Sequence, residues 1–425
     1  MYKLSMYNLY FQKGYIYNSL SGGIYKFNDE TLEYLKNIET NDNAENNIFF
    51  KAIKDKGYIV ETEKNEFEEL NNRRKHMLFD DTSDIASFVI SVTTRCNYRC
   101  IYCFEKGIEQ IDMSFETERD VAFFIKERFK KNKQLKNMYI TWFGGEPLLC
   151  KNVIAELGKE LITFCNQNNI GFKSGIITNG YFLDENNYEM LRRFNIEYIQ
   201  ITLDGDAEWY AYYKNPKDPA SYDRVIDNII KISNYQDIHI RFNCTKNNVL
   251  SIKNVIGKLF TNCDINKEHI HFSLDRVFSA DNSIQLTEKE FLVFKFEILD
   301  LFLDLGWYRM IFKFIPASKI APCGLMRKNS FAIDSKGNLY KCEHYIGNSK
   351  FSVGDAKNGE YIDQRSLDFL NTPLPSGCKD CKVFPVCRGG CTQKRHENIV
   401  SFTCDEKMKE VYGVIERVIK AYELA

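Results

Sequence analysis

No stretch of this 425-residue chain approaches 18 consecutive apolar residues, so nothing in it reads as a membrane span. The opening MYKLSMYNLYFQKGYIY lacks a basic segment followed by an apolar run, and no signal peptide is expected. An excess of one charge is missing as well: 57 Lys and Arg face 58 Asp and Glu, a formal charge of −1. That balance removes the electrostatic reason to expect a nucleic-acid partner. With 27% charged and 44% hydrophobic residues the chain reads as soluble and globular, with the cytoplasm as its default compartment. Its length exceeds one ordinary core, so two or three domains are expected.

What the chain does have is cysteine, 14 in all. Cytosolic thiols stay reduced, so a disulfide framework does not explain them. They are clustered: Cys96, Cys100 and Cys103 fall together, and seven more lie between Cys323 and Cys404. Clustering of this kind points to metal or iron–sulfur ligation. The remaining Cys150, Cys165, Cys244 and Cys263 read as core residues.

Residues 1–80 read as a small domain. Aromatic and β-branched runs such as YNLYFQ and YIYNSL are broken by Gly-rich turns, and helical spacing follows in NDETLEYLKNI and AENNIFFKAIKDKG. A hairpin, then helices, then a further strand (GYIVET) is a winged-helix-like order. The segment carries 11 basic against 13 acidic residues, which argues against DNA as the partner of a wing. From residue 87 to about 310 strand, loop and helix repeat. Strands are expected at 88–94, 138–145, 175–180, 198–205, 238–245 and 269–278. Near-continuous apolar strands alternating with helices mean a parallel sheet, and six units suggest an α/β fold of the partial (β/α)6 barrel kind. Chemistry in such barrels gathers at the C-terminal strand ends. Those ends here carry the cysteine triplet, Gly144-Gly145-Glu146-Pro147, Thr178-Asn179-Gly180 and Asp204-Gly205. Residues 311–425 lose the rhythm and read as a loop-rich domain held together by bound clusters.

Cys96-x3-Cys100-x2-Cys103 directly follows the first barrel strand. Buried structural cysteines fit poorly beside Arg95, Asn97 and Arg99, and three thiols are too few for a closed zinc site. Three thiolates do hold three irons of a [4Fe–4S] cube and leave the fourth open. With Tyr102 before the third cysteine, this segment resembles the signature of the radical S-adenosylmethionine (SAM) superfamily. The resemblance implies a partial radical SAM barrel in which the open iron binds SAM, whose reductive cleavage yields a 5′-deoxyadenosyl radical. Gly144, Gly145 and Glu146 match the family's Gly-Gly-Glu segment at the SAM amino group, and glycine lets backbone approach a ligand there. Thr202 falls where relatives place a hydroxyl near the SAM carboxylate. Relatives often carry a His and, four residues later, an Arg; this chain has Tyr210 and Lys214 at those places. Lys214 supplies the charge without a bidentate fork, and a solvated surface lysine is the alternative.

Cys323, Cys342, then Cys378-x2-Cys381-x5-Cys387-x3-Cys391 and Cys404, with Gly337 between the first two, resemble the seven-cysteine SPASM extension of peptide-modifying radical SAM enzymes. The resemblance implies one auxiliary [4Fe–4S] cluster on Cys378, Cys381, Cys387 and Cys404, and another on Cys323, Cys342 and Cys391, three clusters in all. The last set is one ligand short, and Asn329 stands where some relatives supply a further cysteine. Glu343, at the place of an Asp general base in sulfatase maturases, and neighbouring His344 are candidate acid–base groups, with a surface ion pair as the alternative. The N-terminal domain resembles the leader-recognition element of peptide maturases, which adds a leader peptide as a strand.

Together these features imply an anaerobic maturase of a ribosomally made precursor peptide, supplied with electrons by a flavodoxin or ferredoxin. A sulfur-to-carbon thioether is the favoured product. Carbon–carbon or carbon–oxygen cross-linking, formylglycine formation and a non-catalytic zinc or iron–sulfur binding module are the alternatives.

Overall fold

The computed structural model describes all residues except 42–43, 81–82, 279–282, 361–363 and 400–402. Six parallel strands follow one another in sequence: β1 (Ile85–Thr93), β2 (Asn137–Gly144), β3 (Gly171–Thr178), β4 (Ile196–Thr202), β5 (Ile238–Cys244) and β6 (Ile270–Arg276). Helices at Phe115–Lys131, Lys151–Gln167, Glu185–Arg192, Ser221–Ser233 and Val249–Thr261 lie between them. Strand β6 does not return to β1. Instead β1 pairs in parallel with β7 (Phe331–Ile333), and β8 (Asn338–Tyr340), β9 (Gly354–Asp355) and β10 (Gly359–Glu360) continue the sheet antiparallel. The barrel is therefore partial, as the strand count predicts.

The strands form because their β-branched and aromatic runs have a face to bury. On β5, Ile238, Ile240 and Phe242 are fully buried, while the intervening His239, Arg241 and Asn243 are only half-buried. Side-chain stops set the helix starts: Ser114 accepts from the Thr117 amide at 3.1 Å and Asp184 from Asn187 at 2.9 Å.

The chain divides into two compact units, both discontinuous in sequence. One joins residues 79–291 to 324–370 and holds the barrel. The other joins 1–78, 292–323 and 371–425. Within it the N-terminal segment has its own core of Ile16, Tyr34, Leu35, Ile53, Tyr58 and Ile59. A second face shares its packing with the end of the chain: Leu9 and Tyr17 lie against Val383, Val386, Val411, Ile415 and Ile419. Tyr17 Oη donates to the Pro316 carbonyl at 2.6 Å and Ser19 Oγ to that of Lys382 at 2.5 Å. The linear reading placed 1–80 and 311–425 in separate segments; here stretches of both share apolar side chains that neither buries alone.

Candidate functional site

The cysteine loop leaves β1 at Thr93 and returns to it at Asp112. Thr93 Oγ1 donates to Asp112 Oδ1 at 2.6 Å, and Arg95 Nη2 meets Asp112 Oδ2 at the same distance. On the far side, the amides of Arg99 and Ile101 donate to the carbonyls of Lys214 and Tyr213 at 3.0 and 3.1 Å. These two carbonyls end a helix at Ala207–Lys214, so the loop is tied at both edges.

Glycine is required where β2 meets this loop. Gly144 has φ +135°, and a Cβ there would sit 2.0 Å from the Thr93 carbonyl oxygen. A Cβ on Gly145 would sit 2.5 Å from that of Arg95. The amides of Gly145 and Glu146 donate to these carbonyls at 3.0 and 2.9 Å.

The result is a cavity of about 670 Å³ within the barrel unit. Cys96, Cys100, Cys103, Gly144, Gly145, Thr202 and Lys214 all line it. Its size suits a cofactor of SAM's dimensions. Each thiol lies near enough to another to feel its charge. Burial pushes Cys96 up to about 11 and Cys100 to about 12, and raises Cys103 as well. Three thiols held so high ionise together only against a strongly positive centre, which is what an iron cluster provides. Among the described residues, no three His, Cys, Asp or Glu side chains gather round a single ion. A four-iron cube asks for a looser triangle, one thiolate per iron.

Glu146 is fully buried behind the wall. Its carboxylate accepts from Thr178 Oγ1 at 2.8 Å, from the Asn179 amide at 2.8 Å and from the Leu148 amide at 3.1 Å. Burial pushes it up to about 7, against the pull of those donors. The side chain thus ties the ends of β2 and β3 together, and the cavity wall itself is Gly144–Gly145 backbone.

Lys214 is buried rather than solvated, only 3% exposed. Its Nζ lies 3.2 Å from Asp204 Oδ2, and Asp204 also accepts a short hydrogen bond from Tyr102 Oη. Burial pulls the ammonium down, but Asp204 and Cys100 lift it, and the balance lies above the usual lysine range. Burial and the same carboxylate push the Tyr102 phenol well up, so it remains a donor. Asn243 Nδ2 completes the group, donating to Tyr102 Oη at 3.2 Å. Tyr102 therefore stands behind the cavity and Lys214 on it. Tyr210 is buried too and donates to Tyr98 Oη at 2.9 Å.

Glu343 and His344 lie in a turn after β8 and do not line the cavity. The His344 ring sits 5.0 Å from that of Phe104, next to Cys103 in sequence. Cys378, Cys381, Cys387 and Cys404 belong to one unit, and Cys378 feels the charge of the other three. Cys323 and Cys391 belong to that unit and Cys342 to the barrel unit, so their grouping rests on spacing. Asn329 is 5% exposed and accepts from Arg128 Nη1 at 3.0 Å, which commits its amide oxygen. Of the unassigned cysteines, Cys165 and Cys244 are buried and Cys150 is half-buried. Cys263 is exposed, contrary to the core reading, because it follows the end of helix Val249–Thr261.

Sequence reading placed Asn179 and Asp204 at strand ends without choosing between turn chemistry and function for them. Asn179 Nδ2 lies 4.0 Å from Cys96 Sγ and donates to Asn97 Oδ1 at 2.8 Å. The available signal was position: each follows a barrel strand, at the end where chemistry gathers.

The model of the radical SAM superfamily matches residues 90–246. Along 95% of its length the chain is 23% identical to the radical SAM cyclopropyl synthase TigE of Paramaledivibacter caminithermalis, covering 92% of that protein. It is also 23% identical to the cysteine-type anaerobic sulfatase-maturating enzyme of Clostridium novyi, over 76% of this chain and 91% of that one. Among solved structures, anSMEcpe with bound AdoMet superposes with a TM-score of 0.59 at 18% identity, covering 80% of this chain and 99% of its own. Streptococcus suis SuiB bound to precursor peptide SuiA gives 0.50 at 18% identity, covering 92% and 95%. These two likenesses speak for the fold. No described helix is long and apolar enough to cross a membrane.

Proposed function

Since this chain carries a radical SAM domain and is an enzyme of that superfamily, we propose that it matures a ribosomally made precursor peptide by closing a sulfur-to-carbon thioether. The observation that carries the reading is the convergence of Cys96, Cys100, Cys103, Gly144, Gly145, Thr202 and Lys214 on one cavity. A peptide substrate is supported by the likeness to Streptococcus suis SuiB, solved with precursor peptide SuiA, and by the match to a sulfatase-maturating enzyme over 76% of this chain.

A [4Fe–4S] cluster on Cys96, Cys100 and Cys103, together with SAM, supplies the 5′-deoxyadenosyl radical that abstracts hydrogen. The chain's residues do the rest. Gly144 and Gly145 present bare backbone to the SAM amino acid moiety, and Lys214 offers a buried ammonium to its carboxylate. Thr202 adds a hydroxyl, and Asp204 with Tyr102 holds the lysine in place. The substrate gives up one hydrogen atom to the deoxyadenosyl carbon. Forming the sulfur–carbon bond also has to release the thiol's proton and one electron, for which a bound auxiliary cluster would supply the acceptor. Cys378, Cys381, Cys387 and Cys404 would hold one such cluster, and the sequence spacing of Cys323, Cys342 and Cys391 assigns them to the other. Asn329 Oδ1 accepts from Arg128 Nη1, which supports an open iron on the three-cysteine cluster, one that would bind a substrate thiolate. Glu343 or His344 takes the proton. The N-terminal segment binds the leader by strand addition, and a flavodoxin or ferredoxin delivers the reducing electron.

A second reading, carbon–carbon bond formation, is favoured by the match to a cyclopropyl synthase over 95% of the chain. One experiment separates the two. The protein is coexpressed with a candidate cysteine-containing precursor peptide, and the product is alkylated with iodoacetamide and analysed by mass spectrometry. Loss of two hydrogens together with loss of an alkylatable cysteine supports the thioether. The same mass loss with every cysteine still alkylated supports carbon–carbon closure. Anaerobic reconstitution should yield about twelve irons per chain and reductive SAM cleavage. Zinc alone without 5′-deoxyadenosine would defeat both readings.

A further inference from the structure

Three arginines stand around the four-cysteine set of the N- and C-terminal unit, and the proposed reaction leaves them without a role. Arg74, on the helix Glu66–Phe79, is 9% exposed, and Arg388, next to Cys387, is 2% exposed. Arg395 Nη1 donates to the carbonyls of Gly389 and Gly390 at 2.5 and 2.9 Å, and these glycines lie between Cys387 and Cys391. Arg74 Nε donates to Asn71 Oδ1 at 3.2 Å, and Arg388 Nε makes a short bond to the Lys319 carbonyl. The Arg388 guanidinium lies 5.2 Å from the centre of the Phe384 ring, which packs with Cys378 and Tyr7.

Among the described residues no carboxylate pairs with any of the three. Arg388 Nη1 and Arg395 Nε are buried with no hydrogen-bond partner at all. Glu66, on the same helix as Arg74, is turned to Ser5 Oγ and the Met6 amide, at 2.7 and 2.8 Å. Arg74 and Arg395 repel each other; Arg74 lies within electrostatic reach of Cys378, and Arg395 of Cys378, Cys391 and Cys387, so the anions that would answer them are thiolates ionised by a bound cluster. Guanidinium groups keep their charge at neutral pH even when buried. Unpaired buried cations are costly unless an anion answers them.

We propose that Arg74, Arg388 and Arg395 form a cationic shell that raises the reduction potential of the cluster on Cys378, Cys381, Cys387 and Cys404, fitting it to receive the electron released on bond closure. The inference rests on the ligand set proposed above. A cluster held by four thiolates is an anion, and reduction adds one negative charge. Positive charge fixed beside it in a low-dielectric corner favours the reduced form, since net charge and exposure set such potentials. The first cluster differs in its setting: its buried cation, Lys214, is already answered by Asp204. The shell therefore separates an acceptor from a strongly reducing centre by the charge around each. The three arginines are positioning residues, acting on the cluster through the field.

The test is an EPR-monitored redox titration of the full-length, reconstituted protein in a Cys96→Ala, Cys100→Ala, Cys103→Ala background, which silences the first cluster. The signal that disappears in Cys378→Ala is the one to follow. Arg395→Gln and Arg74→Gln should each lower its midpoint potential by about 59 mV, a tenfold change in the one-electron equilibrium. Arg395→Lys, which keeps the charge, should hold it near the parent value. Unchanged potentials in both Gln variants at full iron content would overturn the shell, and so would an equal drop in Arg395→Lys. If Arg395→Gln alone loses iron, Arg74→Gln, whose helix carries no cysteine, decides the matter by the same shift. If no signal depends on Cys378, the ligand set itself falls, a failure distinct from that of the shell.

Discussion

At the scale of single residues the least replaceable side chain in the cavity is Lys214. Its ammonium is buried against Asp204, and both partners are shielded from solvent. Removing one member of a buried pair leaves the other charge unanswered, at a cost of about 3–5 kcal/mol. Lys214→Met should lower stability by that order in denaturant unfolding and weaken SAM binding in calorimetry of the reconstituted protein. Lys214→Met combined with Asp204→Asn should recover much of the stability and none of the SAM affinity. That split distinguishes a ligand-facing lysine from a structural one. Lys214 was visible in sequence only as a deviation from an Arg, and its burial was not. Residues 204 and 214 lie ten positions apart: one follows a strand, the other closes the helix that begins at Ala207, and no spacing rule within strand or helix links them. The cysteine triplet and Gly144–Gly145, by contrast, were legible at once, because a short spacing carries their chemistry and the following residues do not alter it.

At the scale of elements, the strands were legible to within a few residues, since each needs only its own β-branched run. The helix pair that braces the N- and C-terminal unit was less so. Helix Glu288–Asp304 meets helix Cys404–Leu424 through a close approach at Gly413, where a Cβ would fall 2.2 Å from the Phe296 ring. Around that contact Glu410 takes Lys295 at 2.5 Å and Lys407 at 2.6 Å, and Arg417 Nη2 meets Asp300 Oδ2 at 2.6 Å. Burial alone would raise the Glu410 carboxyl, but the two lysines bring it down to about 2 from an ordinary 4.5. A depressed carboxylate contributes stability that is complete above its unfolded value and lost as pH falls through the folded one. The contribution, about 3 kcal/mol, should therefore be present above pH 4.5 and disappear between there and about pH 2. Urea unfolding across this range should show the acid slope, and Lys295→Met should flatten it. The pairings of Lys295 with Glu410 and of Asp300 with Arg417 span more than a hundred residues, which is why periodicity within either helix gave no hint of them.

At the scale of the whole molecule, the boundaries between functions are not the boundaries between cores. Residues 1–80 resemble an appended recognition element, yet Leu9 and Tyr17 belong to the same apolar cluster as Val383, Val411 and Ile415. Tyr7 and Leu70 share another with Cys378 and Phe384. Deleting residues 1–78 would uncover those side chains beside Cys378 and Cys381. The truncated chain should reconstitute with fewer irons than the full one, roughly one four-iron cluster fewer. Iron and sulfide analysis of the two proteins checks this. A truncation that keeps the full iron content and loses only peptide binding would show the segment to be detachable. Sequence analysis could assign a role to each end, because motif and composition are local. It could not show that the ends share a core, because the apolar residues concerned look the same whichever partner covers them.

That shared core bears on how the protein is made. Leu9 and Tyr17 leave the ribosome some 370 residues before Val383 and 400 before Val411. Until then the nascent segment can close its own core of Ile16, Tyr34 and Tyr58, but its second face has no cover. Contacts so distant along the chain form late and slowly, and a half-covered apolar face is exposed to aggregation while it waits. The barrel is complete before that face closes. Cys378 and Cys381 pack in the clusters that close last, so their thiols stay uncovered until the C-terminal segment meets residues 7–17.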